Sequence, residues 1–581
     1  MSLLPYEVLT LTLGYLEPGE LLGCQLTSKQ WYKASLPRLH ATKYIVSERI
    51  AALYIRAVTN SPHLGKYLDN IILYCLYEKN GERIIPVLQD LLDAVIQYCP
   101  NVTKITWMDK EEFPLWTQLM HAASRGQLTY LKSLPKCSCT SSGSYIYTAL
   151  SFKNSLVSLF IRDECLSFGP QLARLGAYRR LCDQMDQFEK LETLYLNYVS
   201  DKYLSYFDGL IDKCHHLKEV NFDLTVKDVQ QPPNDEPPES KIRPRPDIRK
   251  FECNWRLIDV ESQLEYVMHK FPNLETLSVT DEDEVVNCSG PILVKFIRYI
   301  MLVSDFEIYM NIKEEDLLAI WTEFRKGKNG SKKLFIAYSS SNSWSIGISA
   351  DSGIALRFPI FANDDEPPPP PPPHIRFFSR AGETIQSITI DASDGILSLN
   401  GEKSTSVEWL FDILGYCRIL EEITMNNMSY TWPSRNTLKY PSLKRLNIDV
   451  FYYTNSYNFL SCLSLNLPNL NQLSFKLYAV KKNYTEPITI HMPHTSLDLL
   501  TWNEEKSYGI EDFKGTEVYI KLKTCTGTKF YVGIRNSLFE IESDRYLCFS
   551  KHTRFDIDCK HLKELRVRRS VAPESDANLI F

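Results

Sequence analysis

Glycine is scarce in this chain, 23 residues in 581. No glycine lies in a phosphate-cradling Gly-x-x-x-x-Gly-Lys-Ser/Thr loop or a Gly-x-Ser-x-Gly nucleophile elbow, and no His-Glu-x-x-His metal helix occurs. Long apolar runs are missing too. The longest, Pro291 to Val303, has 13 residues and includes Lys295 and Arg298, whereas a spanning helix needs about 20 mostly apolar residues. At helical spacing Ile292, Phe296, Ile297, Ile300 and Met301 share one face of it, which predicts a packed amphipathic helix and no membrane partner. Neither sign of charge dominates: 65 Lys plus Arg face 71 Asp plus Glu, a formal net charge of −6. That is too mild to steer a polyanion, so nucleic acid is not an expected partner. The 15 cysteines are scattered and odd in number. Most sit in apolar runs such as Leu73-Tyr74-Cys75-Leu76 and read as small buried thiols. Residues 1–7 have no basic region and no small-residue cleavage site, so a secretory signal is not expected and a cytoplasmic or nuclear location, or both, is.

What the chain has in quantity is leucine: 72 residues, more than three times the glycines. A hydrophobic content of 44% and a charged content of 23% are ordinary globular values and exclude wholesale disorder. The length corresponds to about four domains of roughly 150 residues, or to one repeat architecture of the same mass.

Residues 4–45 predict three short helices broken at Glu17-Pro18-Gly19 and at Thr27-Ser28. Pro5 suits a first turn, Val8, Leu9, Leu13 and Leu16 make a helical stripe, Pro18 starts a second helix with Leu21, Leu22 and Leu26, and Ser28 caps a third that opens with Trp31. About 45 residues bury too little surface to stand comfortably alone, so some of these side chains are expected to meet a partner. The order Leu4-Pro5-x-Glu7-Val8-Leu9, Leu13-x-x-Leu16, Pro18, Leu21-Leu22, Leu26, Ser28-Lys29 and Trp31 closely resembles the F-box. Two positions depart from that pattern: Gly14 weakens the first helix by about 1 kcal/mol relative to Ala, and Leu26-Thr27-Ser28 stands where a hydrophobic-Val-Cys run is usual. The resemblance implies docking onto a Skp-type adaptor and, through it, onto a cullin and a RING subunit. Leu4, Pro5, Val8, Leu9, Leu13, Leu16, Pro18, Leu21, Leu22, Leu26 and Trp31 are its implied adaptor-binding set.

The rest of the chain repeats itself. Tyr98-Cys99-Pro100-Asn101-Val102, Phe271-Pro272-Asn273-Leu274, Tyr440-Pro441-Ser442-Leu443 and Leu467-Pro468-Asn469-Leu470 open segments of one form, Pro-[Asn/Ser]-Leu-x-x-Leu-x-apolar. Lys213-Cys214-His215-His216-Leu217 and Asp558-Cys559-Lys560-His561-Leu562 are relatives. The anchors Leu420, Leu443, Leu470 and Leu497 are 23, 27 and 27 residues apart, which are leucine-rich-repeat periods. Further upstream, Leu128 and Leu156 are expected anchors, Leu217 to Leu274 spans about two periods, and the pattern is lost between Leu274 and Ile385. This irregularity is similar to the repeats of fungal F-box receptors. The expected fold class is α/β: an F-box over 1–46, a helical linker or capping region over 47–97, and a curved leucine-rich-repeat solenoid over 98–581.

Two proline-rich insertions interrupt it, near 228–246 and 364–374. Pro367 to Pro373 predicts a polyproline II rod of about 20 Å, a spacer or a ligand for an SH3, WW or profilin-like domain. Arg243-Pro244-Arg245-Pro246 reads as solvated loop, with a nuclear-targeting or phosphate-binding role as the alternative.

No catalytic constellation has the spacing that chemistry needs. Cys137-Ser138-Cys139 is too close for a zinc pair, His215-His216 sits at a repeat turn, and His491-x-x-His494 surrounds a proline. The expected function is therefore a non-catalytic substrate receptor of an SCF-type ubiquitin ligase, with no cofactor and no metal. Its alternatives are an F-box-like adaptor-binding protein outside ubiquitin transfer and a plain repeat scaffold. Strand positions between the inward leucines, namely Lys218, Glu219, Asn221, Lys444, Arg445, Asn447, Lys563, Glu564 and Arg566, are the expected contacts to an unknown protein substrate. Burying an unpaired charge costs several kcal/mol, so Leu9→Asp with Leu16→Asp is expected to abolish co-purification of an adaptor. Unchanged recovery contradicts the F-box resemblance.

Overall fold

The computed structural model describes residues 5–74, 85–108, 113, 115–136, 142–162, 180–197, 204–224, 242–255, 260–280, 290–310, 312, 314–327, 332–339, 345–351, 353–359, 374–391, 405–406, 413–426, 430–431, 439–450, 456–478, 488–505, 517–534, 537–543, 553–569 and 577–580. These residues form a mixed α/β chain with two compact bodies, 1–257 with 265–280 and 258–264 with 281–581.

The first body opens with helices α1 (Tyr6–Leu13), α2 (Pro18–Gln25) and α3 (Lys29–Ala41), and α3 passes directly into strand β1 (Thr42–Ile45). Helix, turn and strand then recur. Helices α4 (Glu48–Asn60) and α5 (Pro62–Gly65) lead to β2 (Asn70–Leu73), α6 (Ile85–Tyr98) to β3 (Lys104–Trp107), α7 (Trp116–Ser124) to a one-residue bridge at Ser133, and α8 (Ser142–Ser151) to β4 (Ser158–Arg162). Strands β5 (Thr193–Asn197), β6 (Glu219–Leu224), β7 (Lys250–Trp255) and β8 (Thr276–Thr280) follow. Every neighbouring pair is parallel, and register partners lie 25 to 35 residues apart in sequence. Parallel neighbours need a crossover, which the intervening segments supply, and a single step of this size buries its apolar ribs only against the next one.

One turn geometry repeats at each step. Two residues before each strand stands a buried anchor: Leu68, Val102, Leu131, Leu156, Leu191, Leu217, Ile248 and Leu274. The next residue donates its backbone N–H to the carbonyl of its counterpart one step earlier. These bonds run from Asp69 to Ala41, Thr103 to Asp69, Lys132 to Thr103, Val157 to Lys132, Glu192 to Val157, Lys218 to Glu192, Arg249 to Lys218 and Glu275 to Arg249, all at 2.7 to 2.8 Å. The asparagines of the Pro-Asn turns add a side-chain staple, Asn101 donating to the Lys66 carbonyl at 2.7 Å and Asn273 to the Pro246 carbonyl at 3.5 Å.

Three expectations change here. Residues 47–97 carry helices but also strand β2 and its anchor Leu68, so the recurring step starts directly after α3. Leu131 holds the anchor place expected of Leu128, which is buried in the preceding turn at a left-handed φ of 53°. Ile248 fills the gap between Leu217 and Leu274, so the segment read as the end of an exposed insertion is a repeat turn. Arg245 belongs to that turn: its guanidinium donates to the carbonyls of Ile211 and Cys214, the latter at 2.8 Å, and pairs with Asp247 at 2.7 Å. It thereby satisfies carbonyls at the end of the helix Leu204–Lys213, as a cation at a helix C-terminus does. Residues 225–241, Pro367 to Pro373 and Cys137 to Cys139 lie outside the described residues. Nearby, fully buried Lys270 is held between Asp208 at 2.5 Å and Asp212 at 2.6 Å, which compensates an otherwise prohibitive buried charge.

In the second body the expected amphipathic helix is Gly290–Ile300, with Leu293, Phe296, Ile297 and Ile300 buried and Lys295 and Arg298 exposed. Where the sequence pattern fades, the sheet changes direction. The hairpin of β11 (Ser345–Ser349) and β12 (Gly353–Pro359) is inserted between β9 (Asp305–Met310) and β10 (Lys333–Ser339): β11 pairs antiparallel with β9, and β12 parallel with β10. Parallel order resumes through β13 (Ser387–Asp391), β15 (Glu422–Asn426), β17 (Arg445–Val450), β18 (Gln472–Tyr478) and the long β19 (Ile488–Glu505), while β14 (Thr405–Ser406) and β16 (Tyr430–Thr431) pair apart. The anchors Ile385, Leu420, Leu443, Leu470 and Leu497 are buried, and Asn469 staples to the Pro441 carbonyl at 2.7 Å. Beyond Glu505 an antiparallel meander of β20 (Glu517–Thr524), β21 (Gly527–Ile534) and β22 (Ser537–Ile541) replaces the repeating step expected to run to residue 581. Strand β23 (Thr553–Arg569) pairs in parallel with both β19 and β20, and β24 (Ala577–Ile580) covers part of it. Four residues of the last parallel strand, Glu564 to Val567, are thereby covered against mispairing.

The cysteine pattern follows from the same turn. Cys99, Cys214 and Cys417 each stand three residues before an anchor and are buried there, and Cys559, three residues before buried Leu562, is buried within β23. Burial pushes the thiols of Cys214, Cys417 and Cys559 up to about 12. At two of these places the preceding step comes so close that only glycine fits: a Cβ at Gly65 would collide with the Tyr98 carbonyl, and one at Gly382 would sit 2.7 Å from the Tyr416 carbonyl oxygen. Gly382→Ala is therefore expected to destabilise the chain by about 1–3 kcal/mol, as overpacking does, measured as a lower urea midpoint than that of Gly415→Ala, where a Cβ meets open space.

Candidate docking surfaces

The N-terminal module is built by its caps. Pro5 is the N-cap of α1. In α2, Pro18 is the first residue, and the Glu20 carboxylate accepts the Glu17 backbone N–H at 2.9 Å, half of a reciprocal capping box. The Ser28 hydroxyl accepts the Trp31 backbone N–H at 3.3 Å and starts α3. The three helices close a small core of Leu9, Leu13, Leu21 and Ala34, against which Leu16, Cys24, Trp31 and Leu39 pack. Each leucine fully buried there contributes about 1.5–3 kcal/mol.

A second set of large apolar side chains remains outside that core. Tyr15 is 90%, Leu26 89%, Leu11 69% and Leu22 57% exposed, and Tyr6 and Val8 are exposed as well. Val8, Leu11 and Tyr15 have i, i+3, i+7 spacing and Leu22 and Leu26 i, i+4, so each falls on a helical stripe distinct from the core positions.

The eleven implied adaptor contacts thus divide. Leu9, Leu13 and Leu21 are core, Leu16 and Trp31 half-buried, and Pro5, Val8, Leu22 and Leu26 exposed. Leu4 and the Pro18 side chain lie outside the described residues. Leu11, Tyr15 and Tyr6 are exposed apolar residues that the motif order alone does not single out. The signal for them is an α1 that is apolar on two faces.

The nine expected substrate contacts lie on the half-open face of the sheet, but most are already engaged. Lys218 pairs with Glu192 at 2.7 Å and Asn221 donates to Glu252 at 2.5 Å, with Glu219 half-buried on the same strand. Lys444, just before β17, pairs with Glu421 at 2.9 Å; on β17, Arg445 pairs with Glu422 at 3.0 Å and Asn447 donates to Glu422 and Thr424, both at 3.2 Å. The Lys444 ammonium holds the Glu421 carboxyl below the usual carboxylate range. On β23, Arg566 pairs with Glu564 at 2.7 Å while Lys563 is exposed.

Of the histidines, His215 and His216 line a cavity of about 500 Å³ with Glu189, Lys190, Glu192 and Lys218. His491 faces Asp558 at 3.1 Å, and the His494 backbone N–H donates to the Ser464 hydroxyl at 2.9 Å. Among the described residues no cluster of three or more His, Cys, Asp and Glu is arranged to hold a metal ion.

Because Leu9 is core, aspartate there is expected to act by unfolding the module, leaving a docking effect unreadable. Leu22→Asp and Leu26→Asp, on exposed side chains, are expected to shift stability by no more than about 0.5 kcal/mol. Circular dichroism melts of the full chain compare the two classes.

No curated protein matches the chain. Residues 1–45 match the model of the F-box-like family, so the module that carries both the closed core and the exposed apolar stripes is F-box-like.

Proposed function

We propose that this protein is a non-catalytic substrate receptor of an SCF-type cullin-RING ubiquitin ligase. The observation that carries this reading is the exposed apolar set Val8, Leu11, Tyr15, Leu22 and Leu26 on the F-box-like module. A module that has closed its own core and still presents that much apolar surface is suited to a partner, because clustered exposed apolar groups of this size mark interaction sites. The partner kind that F-box domains bind is a Skp-type adaptor, which brings cullin and RING subunits. Leu9, Leu13 and Leu21 then shape the surface from behind, while Val8, Leu22 and Leu26 touch the adaptor.

The remaining chain is read as an irregular leucine-rich-repeat solenoid. Support for this comes from the 25- to 35-residue steps, the buried anchors and the parallel register of the first body. In this reading the half-open sheet face holds the protein substrate, and ligase activity belongs to the assembled complex, with the receptor supplying proximity.

Recombinant full-length chain is expected to co-purify with a Skp-type adaptor and with cullin, and Leu22→Asp with Leu26→Asp to lose both while its melt stays unchanged. Adaptor recovered with cullin consistently excluded supports an adaptor-binding role outside ubiquitin transfer. No adaptor recovery at all leaves a repeat scaffold.

A further inference from the structure

The half-open face of the first body is divided in two by chemistry. At the middle outward position of successive strands the register aligns Tyr44, Ile72 and Thr106 on β1 to β3. Pro135 stands two residues past the Ser133 bridge, and Phe160 and Tyr195 follow on β4 and β5. The next residues of the same row are Asn221, Glu252 and Ser278 on β6 to β8. A second outward row, one residue past the aligned Ile45, Leu73 and Trp107, holds Val46, Tyr74 and Met108; their places are fixed by the Tyr74 N–H to Ile45 carbonyl bond at 3.0 Å and the Met108 N–H to Leu73 carbonyl bond at 2.9 Å. Tyr44, Val46, Tyr74 and Met108 are all exposed. The middle row is therefore apolar from β1 to β5 except at Thr106, with Pro135 buried, and polar from β6 onward, while the row two residues earlier, Thr42, Asn70, Lys104, Ser133, Ser158 and Thr193, is polar throughout.

Charge follows the same division. Outward cations at β6 to β8 are neutralised within the chain, Lys218 by Glu192, Arg249 by Glu275 and Lys250 by Glu252. Beside the apolar rows stand Lys104, Lys132 and Lys136, all exposed and joined by no salt bridge to a described residue, with Lys136 lying 5.6 Å from the centre of the Phe160 ring. Desolvating an apolar stripe bordered by ammonium groups that no described carboxylate neutralises favours a ligand that brings carboxylates.

We infer that this stripe on β1 to β5 is the substrate-docking site and that its occupant is an amphipathic helix of a partner protein with an acidic flank. The inference rests on the receptor reading above and replaces the self-neutralised positions Lys218, Lys444 and Arg445 as the principal contacts. A helix is the fitting occupant because the sheet face offers side chains only. A strand laid across it would leave its own backbone groups unpaired, whereas a helix satisfies them internally. Five interstrand steps of about 4.8 Å make the stripe roughly 24 Å long, the length of a helix of about 16 residues.

The test uses the full-length chain and two fluorescein-labelled 16-residue helical peptides. Both carry leucine at i, i+3, i+4 and i+7 spacing; one has glutamate and the other lysine at the remaining positions. Fluorescence anisotropy is expected to show the glutamate peptide binding at least tenfold more tightly than the lysine peptide. Tyr74→Ser with Met108→Ser is expected to weaken it at least tenfold. Lys104→Glu with Lys132→Glu, which alters exposed side chains only, is expected to remove or reverse the preference while the melting curve stays unchanged. Equal binding of the two peptides overturns the inference, as does binding insensitive to both double substitutions. Sedimentation showing self-association that Tyr74→Ser with Met108→Ser abolishes overturns it in favour of a second copy. Adaptor co-purification, followed in the same variants, is expected to be unaffected, so failure of the face and failure of the receptor reading give different results.

Discussion

The rest of the first body depends on one backbone hydrogen bond made repeatedly, from the residue after each anchor to the carbonyl of its counterpart one step earlier. It fixes register where the strands themselves are only four to six residues long, and each added bond is worth only about 1 kcal/mol net. Its strength is in number and in what it imposes. A buried anchor must precede each bond, and at Gly65, where the following turn comes closest, only glycine fits. The bond pattern starts at Ala41, the last residue of α3 and within the F-box-like module, so α3 is also the first support of the sheet.

That continuity gives the module two jobs. Its inner leucines hold three short helices together, and its outer apolar residues stay exposed as the surface proposed to meet a partner. A separate domain on a flexible linker would let a docked adaptor and a bound substrate move independently. Here no linker residue stands between α3 and β1, so a partner docked on α1 and α2, as proposed, would be held in fixed relation to the first strand of the sheet.

Much of this was legible in the sequence because its causes are local. The breaks at Pro18 and Ser28, the burial of six of the eight described cysteines (Cys525 is exposed and Cys24 half-buried), the amphipathic helix at 290–300 and the anchors from Leu420 onward each depend on a residue type at a fixed offset. What escaped reading depended on partners distant in the chain. Ile248 was hidden because Asp247 replaces the usual Asn or Ser and proline-rich sequence precedes it, and Leu68 because its turn lacks Pro-Asn. The role of Arg245 requires the end of a helix some thirty residues earlier. The antiparallel hairpin at 345–359 and the terminal meander break the period itself, so no extension of the repeat foretells them. The division of the N-terminal leucines into core and surface is likewise a tertiary fact: Leu9 and Leu22 fit the motif equally well but face opposite ways.

The account turns on whether α1 and α2 meet an adaptor through their outer residues. Hydrogen–deuterium exchange of the full-length chain, alone and with a Skp-type adaptor, addresses this directly. The account predicts new protection confined to residues 6–26 and little change in the strands from β4 onward. Protection absent from that segment, or appearing only on the sheet, would contradict it.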